Sequence, residues 1–168
     1  MEICFVADNN YKRFLQDYIP EKMDAVGEGD IVDETGETVG THNGYPNYTI
    51  GQRKGLGLSN LEPRYVTKIE PSANQIVIGK KESLYENICN MSRVNWLVKH
   101  MDFPCEVEAQ IRYNSPVVPA DIRKNDWDYE IRFHKPQIAV TPGQSIVFYH
   151  DDIVLGGGII ERKISTDE

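Results

Sequence analysis

The sequence predicts a mainly β protein, in which a small α+β domain over residues 1–88 is followed by an antiparallel β-barrel over residues 89–168. Three observations predict this class. One amphipathic helical segment lies near the N-terminus, turn signals mark two short hairpins in the first half, and the second half alternates apolar and polar residues at the period of two typical of strands. Five or six short strands at this spacing suggest a barrel, because closure removes exposed sheet edges.

The first element is a helix. Asp8 is expected to cap its N-terminus, and Pro20 is expected to stop it, because the residue before a proline is pushed out of the helical region. The apolar positions that mark one face of this helix are Tyr11, Phe14, Leu15, Tyr18 and Ile19.

Two hairpins follow. The first joins residues 30–33 to residues 37–40 through Glu-Thr-Gly, and the second joins residues 65–69 to residues 75–78 through Pro-Ser-Ala-Asn. Both connections have the composition of tight turns between short extended segments. The first domain therefore contains a small sheet beside its helix.

The second half is expected to be almost entirely strands. Val107, Ala109, Ile111 and Tyr113 alternate with polar residues, which predicts one strand with a wet face and a buried face. Further strands are predicted at residues 117–122, 129–133, 145–149 and 154–160. The glycine triplet in the last of these predicts a bulge or a close strand approach rather than a ligand loop.

Composition excludes several classes of protein. The longest apolar runs are far shorter than the roughly 18 residues of a membrane helix, so we expect no membrane association and a cytoplasmic protein. The net charge of −8 argues against RNA binding by overall attraction. Any RNA contact has to be local, at basic clusters such as Arg53-Lys54, Lys80-Lys81, and Arg112 with Arg123-Lys124, which are otherwise ordinary hydrated surface.

The three cysteines, Cys4, Cys89 and Cys105, are odd in number and lack the C-x-x-C spacing of zinc or redox sites. Each is either an inert core residue or a reactive thiol. In Ile-Cys-Phe-Val, Cys4 is typical of a small buried hydrophobe, although the N-terminus of the following helix can lower a thiol pKa. The four histidines lack ligand spacing, so no metal site is predicted.

The glycine-rich segment 51–57 is the other candidate site. Its three glycines allow a tight backbone that projects Gln52, Arg53 and Lys54 from one place, which suits a phosphate or protein contact. A hydrated turn is the competing interpretation. The sequence has no G-x-x-x-x-G-K or Ser-Gly-Gly-x-Asp-Ser loop, so no ATP site is expected within it.

Three ordered motifs resemble the tRNA wobble-uridine 2-thiouridylases: Ile3-Cys4-Phe5, Tyr-Thr-Ile-Gly-Gln-Arg-Lys-Gly-Leu-Gly at 48–57, and Val-Thr-Pro-Gly-Gln-Ser at 140–145. The pair Arg112-Tyr113 and the ending Leu-Gly-Gly-Gly-Ile-Ile at 155–160 are also similar to that family. The resemblance covers nearly the whole chain, and Gly-Gln-Arg-Lys-Gly-Leu-Gly is its most diagnostic block.

This resemblance implies the central domain and C-terminal barrel of a three-domain tRNA sulfurtransferase, without the N-terminal ATP-pyrophosphatase domain. Such a chain is not expected to be active alone or to bind a cofactor. The parent enzyme would use ATP and Mg²⁺ to activate the uridine and would receive sulfur from a donor protein. A second catalytic cysteine, which helps to release the sulfur, would lie in the N-terminal domain.

By the same resemblance, Cys4 is the catalytic cysteine that carries persulfide sulfur. Arg112, Tyr113 and Gln144 are expected to contact the anticodon arm of tRNA, and Gln52, Arg53 and Lys54 are further tRNA-binding candidates. Cys89 and Cys105 are interpreted as structural. The alternative is a non-catalytic β-barrel module that binds RNA or protein, with Cys4 inert in a core.

Overall fold

A computed structural model describes residues 6, 10–58, 62–125 and 129–161. The chain divides into two compact units, Met1–Ser83 and Leu84–Glu168. The first combines two short helices with a mixed sheet, and the second is a closed barrel, so the predicted mainly β class is confirmed. A strand, β5 (Tyr85–Trp96), runs across residues 88 and 89, where the sequence suggested a boundary.

Two helices open the first unit. Helix α1 spans Tyr11–Tyr18, and its N-cap is Asn10, whose side chain accepts a 3.1 Å hydrogen bond from the backbone of Arg13. The prediction of Asp8 as the cap is wrong, because the helix begins later than expected. Pro20 does end α1, as predicted, but it also occupies the first position of α2 (Pro20–Val26), where a proline loses no helical hydrogen bond.

The first unit contains a four-stranded sheet in the order β2-β1-β4-β3. Its strands are β1 (Gly29–Asp33), β2 (Thr38–His42), β3 (Tyr65–Glu70) and β4 (Gln75–Gly79). Both predicted hairpins are confirmed, and the parallel pairing of β1 with β4 joins them. The sheet packs on a core of Ile31, Leu56, Val66, Ile76 and Ile78.

The first hairpin turn is fixed by a carboxylate. The side chain of Asp33 accepts hydrogen bonds from the backbone and hydroxyl of Thr35 and from the backbone of Glu37. These donors hold the pKa of Asp33 below its usual value, the side-chain bond from Thr35 being the largest cause. The turn chemistry read from the sequence is the chemistry that closes the hairpin.

The second unit is a closed six-stranded barrel in the order β10-β5-β8-β7-β6-β9, with every neighbouring pair antiparallel. After β5 come β6 (Cys105–Gln110), β7 (Val118–Lys124), β8 (Tyr129–Ile138), β9 (Ser145–His150) and β10 (Ile153–Glu161). Strand alternation is confirmed at Val107 and Ala109, which are buried in β6, and Ile111, just beyond the end of β6, is also buried. It fails at Tyr113, because β6 ends at Gln110 and Tyr113 is 94% exposed.

The glycine triplet of β10 is confirmed as a site of bulging and close packing. The register with β5 shifts between Gly157 and Ile159. A Cβ atom added to Gly158 would come within 2.7 Å of the sulfur of Met91 in the barrel core. Side chains are therefore excluded there by strand packing.

Candidate functional site

The sequence predicted that the Arg112-Tyr113 pair lies on a strand. In the structure, the pair lies in a tight turn after β6. The hydroxyl of Ser115 accepts a 3.1 Å hydrogen bond from the backbone N–H of Arg112 and donates a 2.8 Å bond to the carbonyl of Arg112. The backbone N–H of Ser115 also donates to that carbonyl, at 2.9 Å. The turn is closed on itself, and it leaves the ring of Tyr113 in solvent.

Gln144 lies in the turn that precedes β9. Gly143 adopts a φ of 85°, a conformation that favours glycine. The N–H of Gly143 donates to the carbonyl of Ile160, and the N–H of Ile160 donates to the carbonyl of Gln144, both at 2.8 Å. The side-chain oxygen of Gln144 is buried and has no hydrogen-bond partner among residues 6, 10–58, 62–125 and 129–161.

The barrel brings these two turns to one end. Strands β6 and β9 are antiparallel with Gln110 opposite Val147, so the residues after β6 lie level with the residues before β9. The guanidinium of Arg112 also donates to the carbonyl of Ile138, at the start of the connection that carries Gln144. We call the turns at 111–115 and 141–144 together the barrel rim.

The candidate loop of the first unit, residues 49–57, is fastened to β3. The N–H of Gly51 donates to the carbonyl of Val66 at 2.8 Å, and the N–H of Val66 donates to the carbonyl of Gln52 at 2.9 Å. Leu56 anchors the loop because its side chain packs in the hydrophobic core of the first unit. The loop is therefore a rigid support for the side chains that it presents.

Within this loop, Gln52 has a structural role that the sequence did not predict. Its side-chain oxygen accepts a 3.1 Å hydrogen bond from the N–H of Thr49, and its side-chain nitrogen donates a 3.0 Å bond to the carbonyl of Lys54. Arg53 and Lys54 are the exposed cations of the motif. Arg53 also borders a cavity of about 380 Å³, lined by Arg53, Gly55, Leu56, Gly57, Leu58, Glu62, Pro63 and Arg64.

Cys4 lies outside the described residues. The other two cysteines have surroundings that do not activate a thiol. Cys89 is buried in the barrel core, and burial, with a smaller contribution from the charge of Asp121, raises the pKa of Cys105. A raised pKa disfavours the nucleophilic thiolate.

Within the ranges that the structure describes, no group of three or more histidine, cysteine, aspartate or glutamate side chains is arranged to hold a metal ion. No helix in those ranges is long and apolar enough to span a membrane.

Sequence reasoning missed Gln110, which it treated as an ordinary polar residue of the wet strand face. Its side chain bonds the Arg112-Tyr113 turn and Tyr149. A signal was present: a long amide side chain two residues before an exposed motif can reach the backbone of the turn that follows.

Two family matches cover most of the chain. Residues 12–80 match the family described as "tRNA methyl transferase PRC-barrel domain", and residues 86–160 match the family described as "Aminomethyltransferase beta-barrel domain". The two matches fall on the two units of the structure. Together they place the chain among proteins that combine these two domains, the first of which is named for tRNA-modifying enzymes.

Individual relatives narrow this class of proteins to one kind of tRNA-modifying enzyme. The curated protein "tRNA-specific 2-thiouridylase MnmA" of Chlorobium phaeobacteroides is 47% identical over 161 residues, which cover 95% of this chain and 45% of the relative. Its namesake from Halothermothrix orenii is 45% identical, with 96% and 45% covered. That of Carboxydothermus hydrogenoformans is 42% identical, with 97% and 44% covered.

The chain belongs to the tRNA-specific 2-thiouridylase family, which confirms the resemblance carried by the three sequence motifs, and it matches the C-terminal part of these enzymes. It spans less than half the length of the curated relatives it matches.

Proposed function

We propose that this chain is the sulfur-carrying and tRNA-facing part of an enzyme that thiolates the wobble uridine of tRNA at its 2-position. The proposal is supported by the names of the relatives and by the motif Ile3-Cys4-Phe5. The observation that carries its RNA-binding half is the barrel rim, where the turn of Arg112 and Tyr113 and the turn of Gln144 lie together.

In this proposal, Cys4 accepts sulfur from a donor protein as a persulfide. The terminal sulfur attacks carbon 2 of the uridine, and the activated oxygen leaves with its adenylate group. A second thiolate of the parent enzyme then attacks Sγ of Cys4, so that the S–S bond of the persulfide breaks, a disulfide forms between the two cysteines, and the outer sulfur stays on the uridine. The sequence contains no phosphate loop of a known ATP-binding type, and the described residues contain no cluster of metal-ligating side chains. Uridine activation is therefore assigned to an N-terminal ATP-pyrophosphatase domain of the same enzyme.

The rim supplies two kinds of RNA contact. Tyr113 offers an exposed aromatic face on which an unstacked base can lie, and Arg112 offers guanidinium donors to a phosphate. We also assign Gln144 to this surface, because its turn lies at the same end of the barrel as the Arg112-Tyr113 turn. The anticodon arm is the part of tRNA that we assign to this surface.

The loop of the first unit adds charge. Arg53 and Lys54 are exposed on a rigid backbone, which favours contact with phosphates, while Gln52 maintains the loop. Because the net charge of the chain is −8, such contacts have to be local, and the rim and this loop are the local sites we assign.

Persulfide mapping tests the catalytic half. The chain is incubated with a cysteine desulfurase and cysteine, and each thiol is examined by peptide mass spectrometry. We expect the added sulfur on Cys4, none in Cys4→Ser, and little on Cys105, which serves as the control within the same chain because its thiolate is disfavoured. Equal labelling of Cys4 and Cys105 would contradict the assignment of Cys4 and favour the non-catalytic binding module.

A further inference from the structure

Gln110 connects the barrel wall to the turn that presents Arg112 and Tyr113. Its side-chain nitrogen donates hydrogen bonds to two turn carbonyls, that of Tyr113 at 3.2 Å and that of Ser115 at 2.8 Å. Its side-chain oxygen accepts a 3.2 Å bond from the hydroxyl of Tyr149 on β9. Both N–H groups of the amide are therefore used on the turn, and the oxygen is used on the neighbouring strand.

This connection matters because core packing does not hold the exposed motif in place. With 94% of its surface in solvent, Tyr113 depends on its backbone for its position. Gln110 is the last residue of β6 and is paired with Val147 in the barrel, so its own backbone belongs to the rigid wall. Hydrogen bonds from this side-chain amide therefore fix the turn to the barrel strands.

We propose that Gln110, oriented by the hydroxyl of Tyr149, is a positioning residue for RNA binding. It holds the turn of Arg112 and Tyr113 in one conformation, so that the turn does not have to become ordered when RNA binds. The inference rests on the proposed contact between this turn and tRNA. Gln110 itself does not touch the RNA. Its contribution to affinity is the ordering cost that a loose turn would incur on binding.

Affinity for an unmodified tRNA transcript with uridine at the wobble position tests this role on the 168-residue chain. Gln110→Met keeps the side-chain length and neutrality but removes both donors, and we expect it to weaken binding about three- to tenfold, as for one or two hydrogen bonds. Tyr149→Phe should weaken binding in the same direction by less.

Gln137→Met is the matched control. The side-chain nitrogen of Gln137 also donates to two backbone carbonyls, those of Lys135 and Pro136, but neither lies in the Arg112-Tyr113 turn. We expect its affinity for tRNA to stay within about twofold of the parent chain, as for an ordinary surface substitution.

A double-mutant cycle separates positioning from general stability. With Arg112→Ala and Tyr113→Ala already present, Gln110→Met should change the affinity by less than about twofold, because the groups through which it acts are gone. The same further loss in that background would overturn the positioning role, as would an unchanged affinity of Gln110→Met alone. If Arg112→Ala with Tyr113→Ala retains full affinity, the proposed tRNA contact itself fails.

Discussion

The two candidate RNA-binding regions are both short turns held by a glutamine, yet they present different chemistry. In the loop at 49–57, Gln52 ties the loop to itself, and the exposed cations are Arg53 and Lys54. At the barrel rim, Gln110 ties the turn to the wall, and an exposed aromatic ring stands beside the arginine. The loop is therefore suited to charge alone, whereas the rim can also stack on a base.

This difference has a physical consequence for binding. Contacts to phosphate release counterions and weaken as salt is raised, whereas stacking of a base on an aromatic ring depends much less on salt. Substitutions in the two regions should therefore differ in how the affinity for tRNA responds to salt as well as in the size of the loss.

The largest effect is expected at the rim. Tyr113→Ala should weaken tRNA binding about 5- to 150-fold, because stacking of a base on an aromatic side chain contributes about 1–3 kcal/mol. The dependence of the affinity on salt should be unchanged. The matched control is Tyr18→Ala, which removes another largely exposed tyrosine and should have little effect. Equal losses of tRNA affinity from both variants would show that the tyrosine at the rim contributes no more to binding than an exposed tyrosine elsewhere.

An intermediate effect is expected at the loop. Arg53→Ala with Lys54→Ala should lower the slope of log affinity against log salt by about 0.7–0.9 for each phosphate that the two side chains neutralise. The exposed pair Lys80→Ala with Lys81→Ala removes the same charge and should leave the slope nearly unchanged. Identical slopes for the two pairs would show that only net charge matters and that the loop is not a specific site.

A smaller effect separates the two glutamines. Gln52→Met should lower the free energy of unfolding of the first unit by about 0.5–1.5 kcal/mol, since two partly exposed backbone groups of the loop lose their side-chain partner. Gln16→Met, which removes only an exposed bond to Asp24, is the control. Chemical denaturation measures both. Weaker tRNA binding by Gln52→Met at unchanged stability would instead make Gln52 a direct RNA contact.

The smallest effect concerns pH and belongs to the first unit. His42 is buried there, and burial lowers its pKa, while a hydrogen bond to the carbonyl of Asn74 and the charge of Asp30 partly oppose this. The unfolded chain therefore binds the proton first, and stability falls as pH drops below about 6.5. The protection factors of the β1 amides, corrected for the intrinsic exchange rate at each pH, should fall over that range, and a His42→Asn variant should lose this dependence. The same acid response in that variant would contradict the account.

Much of the fold could be predicted because local patterns determine it. Alternation located five barrel strands, and turn residues located both hairpins. Strand β5 was not predicted, because its apolar and polar residues do not reveal where pairing with β8 and β10 begins. The second helix was missed because Pro20 was interpreted only as a stop signal.

The candidate site was predicted in part for a similar reason. Motifs identified Arg53, Lys54, Arg112 and Tyr113 by residue type, but side-chain bonds to distant backbone depend on the folded geometry. The structural contacts of Gln52, which lies inside a motif, and of Gln110, which lies outside one, therefore could not be predicted from the sequence.

The most direct test of the central claim, that the barrel rim meets tRNA, is hydrogen exchange of the chain with and without an unmodified wobble-uridine tRNA. We predict slower exchange on binding at residues 111–115 and 141–145, with a smaller change at residues 52–54. Slower exchange confined to residues 97–104, in the connection between β5 and β6 at the other end of the barrel, with none at the rim, would contradict it.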